Sequence, residues 1–178
     1  MTLRMSVVVL SALSLVACGK VAETATEKVI ESKLSKDGNQ AKVDLSGGGL
    51  KMTSTDASGK TTQIDIGAAK VTEADIGLSF YPGTQPREGG STKMSTPDGT
   101  TYTVTLHSDD APDKVAGFYR DKLKVQAEGK QFMETGGDGS HMLMLADDKT
   151  KQVMQVMVGK GEPKGSDIQI MANRQTAK

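Results

Sequence analysis

Two histidines and one cysteine are the side chains of this chain best suited to catalysis or metal binding. Neither His107 nor His141 has a serine or an acid at a spacing that predicts a catalytic triad, and the sequence contains no GxSxG, HExxH, CxxC, Walker or EF-hand pattern. The glycine-rich stretch 136–139, GGDG, lacks the lysine and the following helix of a phosphate-binding loop. We interpret it as a hairpin turn, and an enzyme is the third-ranked class of function.

A soft-metal site is a second chemical hypothesis. His141, Met142 and Met144 lie on one predicted strand, near Met154 and Met157, and imidazole and thioether ligands suit Cu(I). Core packing is the favoured interpretation, because methionine fills irregular space and this chain has few aromatic residues to occupy volume. Adjacent strand residues also point to opposite faces, so His141 and Met142 do not chelate one ion together without a ligand from a neighbouring strand. The sequence therefore predicts no metal and no cofactor.

The single cysteine, Cys18, follows a short apolar segment at the start of the chain. One charge, that of Arg4, precedes the apolar run at 6–16, and this order is the layout of a signal peptide. The run is too short for a permanent span, which takes about 20 residues. An unpaired thiol is also unusual in an oxidising compartment.

Residues 15–18, LVAC, resemble the lipobox of bacterial lipoproteins, with a branched apolar residue three before the cysteine and a small residue directly before it. The resemblance implies that the signal peptide at 1–17 is removed and that the Cys18 thiol carries diacylglycerol. Two or three acyl chains then hold the protein on the membrane, since each buried CH₂ contributes about 0.8 kcal/mol. Gly19 stands where an Asp commonly retains lipoproteins in the inner membrane, which favours the outer membrane, facing the periplasm, in a Gram-negative cell. Ordinary secretion, with Cys18 left as a free thiol, is the alternative.

The chain after the predicted cleavage site is nearly neutral. It has 22 acidic residues and, without Arg4, 21 of the 22 basic ones, a net charge of −1. A nucleic-acid-binding domain would show a basic face or a pI above about 9, so that class is excluded. Twenty glycines predict short strands joined by tight turns.

Three segments follow the signal peptide. Residues 18–40 predict a lipid-anchored helical tether, in which Glu23, Glu27 and Glu31 repel one another at four-residue spacing. A spacer is the favoured interpretation of this helix, and a partner-binding helix is the alternative. Residues 41–70 alternate with a period of two and predict a small β-meander, and residues 71–178 predict an α+β domain.

The main domain has one strong helical pattern, which begins near Asp109 and an early proline. Its apolar stripe predicts that Phe118 stands at the centre of the face buried against the sheet, with Arg120 in solvent. Strands are predicted on both sides of this helix, at 91–96, 100–108, 130–134, 141–146, 151–158 and 167–172. The predicted fold class is α+β: a mostly antiparallel sheet of short strands with one amphipathic helix packed on it, preceded by the meander and the tether.

Three motifs in this domain resemble a pattern of uncharacterised bacterial secreted and lipid-anchored proteins. They are YPGT at 81–84, TPDGTTYTV at 96–104 and SDDAPDKVAGFYRDKL at 108–123. The resemblance covers residues 78–174. It implies a strand after the YPG turn and a D-x-P-x-K-V-x-x-F-Y helix before a closing antiparallel sheet, and it implies no activity.

The sequence thus predicts a non-enzymatic lipoprotein of the cell envelope that presents a sheet surface to an envelope protein partner. Its membrane contact is the lipid on Cys18, and no nucleic acid is expected. A binder of a small molecule or of copper, using the cleft between helix and sheet, is the alternative.

Overall fold

A computed structural model describes residues 17–35 and 39–175. The predicted signal peptide lies outside the described residues except for Ala17, and so do the side chains of residues 17–22, including that of Cys18. Within the described part of the chain, no helix is long and apolar enough to cross a membrane.

The described residues form three helices and nine strands. In chain order these are α1 (Ala17–Leu34), β1 (Gln40–Asp44), β2 (Leu50–Thr55), β3 (Thr61–Ile66), α2 (Glu73–Ile76), β4 (Pro86–Thr96), β5 (Gly99–Ser108), α3 (Pro112–Val125), β6 (Gln131–Gly137), β7 (Ser140–Asp147), β8 (Gln152–Lys160) and β9 (Ser166–Gln175).

All nine strands belong to one antiparallel sheet in the order β1-β2-β3-β4-β5-β9-β8-β7-β6. The prediction of a mostly antiparallel sheet is confirmed. The predicted meander corresponds to the first three strands of that same sheet, because β3 pairs with β4 through contacts such as Ile64 opposite Met94. The protein is therefore β-rich, with a few helices, and is not a simple sheet with one helix on it.

The core lies between α3 and strands β5, β9, β8 and β7. Eight strand residues point at the helix and are buried: Val104, Leu106, Leu143, Leu145, Val156, Val158, Ile168 and Ile170. From α3, Val115, Ala116, Tyr119 and Leu123 complete the cluster. The short helix α2 adds the buried Ile76 at one end. This arrangement covers one face of the sheet from β5 to β7.

The predicted position of Phe118 is wrong in detail. Tyr119 is fully buried at the centre of the helical stripe, whereas Phe118 is only half-buried. Ala116, Tyr119 and Leu123 follow the i, i+3, i+7 spacing of one helix face, which leaves Phe118 on its flank. There its ring packs edge-on against Tyr81, with 5.2 Å between ring centroids.

Helix α1 lies along the edge of the sheet formed by β1. Three side chains at four-residue spacing, two in α1 and one directly after its end, accept hydrogen bonds from alternate backbone amides: Glu27 Oε1 from Leu45 at 2.8 Å, Glu31 Oε1 from Val43 at 2.8 Å, and Ser35 Oγ from Ala41 at 2.9 Å. The spacing matches because four helical residues rise about 6 Å and two strand residues about 6.8 Å. Glu27 and Glu31 therefore bind backbone amides of a strand edge that is otherwise unpaired. The sequence analysis considered only the repulsion between these glutamates and did not predict this role.

Candidate functional site

The sheet face opposite α3, here called the open face, carries side chains in rows set by the strand register. The first row is Val43, Met52, Ile64, Met94, Thr101, Asn173, Val153, Ala146 and Gln131. The second row is Leu50, Ile66, Thr92, Thr103, Met171, Gln155, Met144 and Met133. The third row is Thr105, Gln169, Met157, Met142 and Thr135.

These three rows contain no charged residue. Across nine strands at about 4.8 Å spacing, the first row is about 38 Å wide. Surface strands normally alternate apolar residues toward the core with polar and charged residues toward water. A face that turns away from the core helix and still lacks charge is therefore a candidate interaction surface.

Methionines dominate the open face from β6 to β9. Met133 is 48% exposed, Met157 40% and Met142 39%. The interpretation that the methionines fill the core is wrong for these three. It holds for Met154, which lies on the opposite face and packs against the core. The sequence HMLML at 141–145 is apolar on both strand faces, so its alternation does not show which face is buried.

His141 is not brought together with Met142 and Met144. Its side chain lies on the α3 side of the sheet, where Nε2 is 2.7 Å from Asp113 Oδ1, while the two methionines lie on the open face. The opposite orientation of adjacent strand residues thus separates the three predicted ligands. Among residues 17–35 and 39–175, no group of three or more His, Cys, Asp and Glu side chains is placed to hold a metal ion.

A depression of about 520 Å³ opens at the end of this face nearest the β6–β7 turn. Met142, Met157 and Asp167 are among the residues that line it. Gly159, in register with Asp167, also lines the depression, and a Cβ at Gly159 would meet no atom within 4 Å. The depression forms because small residues such as Gly159 come next to the third row on the same face of the sheet. Its volume falls in the range of about 300 to 1,000 Å³ that is typical of ligand sites.

A charged cluster borders the depression. His107 Nδ1 lies 2.8 Å from Asp167 Oδ1, and Arg87 Nη2 donates to the same oxygen at 2.7 Å. In the described part of the chain, His107 hydrogen-bonds to Asp167 and to no hydroxyl or thiol. Sequence reasoning missed this cluster, because His107 and Asp167 are 60 residues apart and become neighbours only through the β5–β9 register.

An ion pair and a histidine–carboxylate contact attach α3 to β6 and β7 on the covered face. Arg120 Nε donates to both carboxylate oxygens of Glu134, at 2.9 and 2.8 Å, and His141 pairs with Asp113. The hydrogen bonds from Arg120 hold the pKa of the Glu134 carboxyl below its ordinary value. The expectation that Arg120 only faces solvent is therefore wrong. The contacts of Arg120 with Glu134 and of His141 with Asp113 position α3 on the sheet.

The YPG turn is attached to the start of α3. The Tyr81 hydroxyl donates to Asp110 Oδ2 at 2.6 Å, and the Tyr81 amide donates to the Tyr119 hydroxyl at 2.9 Å. The bond from Tyr81, together with that from Lys114, lowers the pKa of Asp110, and burial raises the pKa of Tyr119. The residues of the YPG and helix motifs thus stabilise the fold.

The cleft between the helices and the sheet offers little room for a ligand. It measures about 220 Å³ and is lined by residues that include Ile76, Gln126, Met154 and Arg174. Sites for drug-sized molecules are about 300 Å³ or larger. The open face is therefore a better candidate than the cleft that the sequence suggested.

Searches against family models, curated proteins and solved structures found no match to this chain. The class is thus defined by its architecture alone, as a β-rich protein built on one nine-stranded antiparallel sheet with a capped β1 edge and three uncharged rows on its open face.

Proposed function

We propose that this protein is a non-enzymatic lipoprotein of the bacterial cell envelope that binds a protein partner through the open face of its sheet. The observation that carries the proposal is the combination of three uncharged rows with exposed methionines at Met133, Met142 and Met157. The partner is expected to present an uncharged, largely apolar surface, because a buried charge without a counter-charge would oppose binding.

The size of the open face supports this function. Rows about 38 Å wide and about 7 Å apart give an area on the order of 500 Å². The largest apolar patch on a typical monomer is about 300 to 600 Å² and is often functional. The apolar residues of these rows, interspersed with Thr, Asn and Gln, occupy part of that area. Interface centres are depleted of charge and enriched in methionine, which adapts its shape to a partner.

The LVAC motif supports attachment to the membrane through Cys18. Helix α1 has 18 residues and docks along β1, so the sheet edge stands within about 27 Å of the anchored end. We expect Cys18→Ala to abolish incorporation of a fatty-acid analogue and to block lipoprotein-specific cleavage, leaving an unprocessed or soluble form. Uptake of label by the alanine variant would contradict the anchor.

A pair of charge insertions tests the partner surface. Met157→Asp places a carboxylate on the open face, whereas Gln63→Asp places one at an exposed position on the opposite face of β3. In pull-downs from envelope membranes in mild detergent, a specific partner should be retained by the wild type and Gln63→Asp and lost by Met157→Asp. Equal retention by both variants, or no specific partner with the wild type, would contradict the proposal.

A further inference from the structure

We propose that the thioethers of Met142, Met144 and Met157 form a binding site for one soft monovalent cation, Cu(I) or Ag(I). This function goes beyond partner binding and rests on different properties of the same face. The objection to a metal site of His141 and Met142 was that adjacent strand residues point to opposite faces of the sheet. That objection does not apply to three ligands that share the open face.

Strand register places the three methionines at three corners of a small quadrilateral. Met142 lies directly opposite Met157 across β7 and β8, and Met144 lies two residues from Met142 on the same face. Directly opposite Cβ atoms are about 5 Å apart, and alternate residues of a strand about 6.8 Å. The centre of the quadrilateral is therefore about 4 Å from each Cβ. A methionine Sδ lies two bonds beyond its Cβ, so that side chain and one metal–sulfur bond can span this distance together.

Gln155 occupies the fourth corner, opposite Met144. Its Nε2 donates to Met142 Sδ at 3.2 Å, although Met142 and Gln155 are diagonal neighbours. The sulfur of Met142 therefore already points into the quadrilateral. An ion at the centre would take the lone pair that Gln155 now uses, and the amide would rotate away.

The chemistry of the surroundings selects soft ions. Thioethers bind Cu(I) and leave Mg²⁺ and Ca²⁺ to oxygen ligands. The three rows of the open face supply no carboxylate, so hard divalent cations have no ligand set here. Met142 and Met157 are also about 40% exposed, so an ion reaches their sulfur atoms without unfolding of the core.

Silver(I) is a redox-inert probe for the test. The full chain would be purified in mild detergent with Cys18→Ala, so that no unlipidated thiol competes for silver, and with ¹³C-labelled methionine methyl groups. During Ag(I) titration, the methyl signals of Met142, Met144 and Met157 should shift together and saturate at one ion per chain. The methyl signal of Met94, which is 37% exposed on the same face but has no methionine directly opposite, serves as the internal control.

Leucine variants separate metal binding from partner binding. Met142→Leu keeps the volume and apolar character needed for docking but removes the sulfur, so it should abolish the coupled shift and leave the partner pull-down unchanged. Met94→Leu should change neither result. An unchanged titration in Met142→Leu, or no saturable shift in the unsubstituted site, would overturn the metal site without bearing on the proposed partner surface.

Discussion

At the scale of single residues, the Tyr119 hydroxyl is the group whose removal is most informative. Tyr119 is fully buried, and its hydroxyl accepts a hydrogen bond from the Tyr81 amide. That amide has no other acceptor among the described residues. Tyr119→Phe should lower the free energy of unfolding by about 1 to 3 kcal/mol, because it leaves a buried amide unpaired. Urea denaturation measures this, and Tyr102→Phe, at a half-buried tyrosine, should cost less. Equal losses in both variants would contradict the role of the hydroxyl.

Glu134 gives a residue-scale prediction about pH. Its folded-state pKa is lowered by Arg120, so the stability it contributes is present above its unfolded pKa of about 4.3 and is lost as the pH falls through the folded value. Glu134→Gln should therefore destabilise the protein by about 1 kcal/mol at pH 7 and by less near pH 3. Glu128→Gln, at an exposed glutamate, should show no such change. A loss for Glu134→Gln that does not vary with pH, measured by urea denaturation, would rule out the ion pair as its cause.

At the scale of elements, α1 and β1 form a unit that a hydrogen-exchange experiment can probe. Glu31→Ala removes the acceptor for the Val43 amide, a charged hydrogen bond of about 1.5 to 3 kcal/mol, so exchange at Val43 should accelerate about tenfold or more. Glu23→Ala, two turns earlier at an exposed position, should leave Val43 unchanged. Equal exchange rates in the two variants would mean that α1 does not cap the edge in solution.

Local patterns predicted most of the elements, and the reason is visible in particular residues. Pro112 at the start of α3 and Asp138-Gly139 in the β6–β7 turn are signals that act within a few residues of chain. The burial pattern was harder to predict, because the apolar residues of β7 occupy both faces, with Leu143 toward α3 and Met142 toward solvent. Only the position of α3 decides between them.

The candidate site was predictable only in its composition. The richness in methionine is visible in the sequence, but the shared face of Met142 and Met157 depends on the pairing of β7 with β8. The His107–Asp167 pair depends on the insertion of β9 beside β5, which links residues far apart in the chain. Neither register follows from the strand sequences alone, because both strands of each pair alternate in the same way.

At the scale of the whole molecule, the two faces of the sheet differ in their covering, and α1 caps the β1 edge. The helices α2 and α3 cover one face from β5 to β7. Three side-chain rows of the opposite face are uncharged, and their β1 end lies within one helix length of the predicted lipid anchor. An anchored protein built this way would present an uncharged sheet surface to an envelope partner at the membrane.

Site-specific photo-crosslinking tests the central claim most directly. A photoreactive amino acid would replace Met157 on the open face or Gln63 on the opposite face of the full-length, membrane-attached protein, and adducts would be resolved by mass after irradiation of intact membranes. The account predicts a discrete protein adduct from position 157 and none from position 63. A discrete adduct only from position 63, or the same adduct from both positions, would contradict the assignment of the open face as the partner surface.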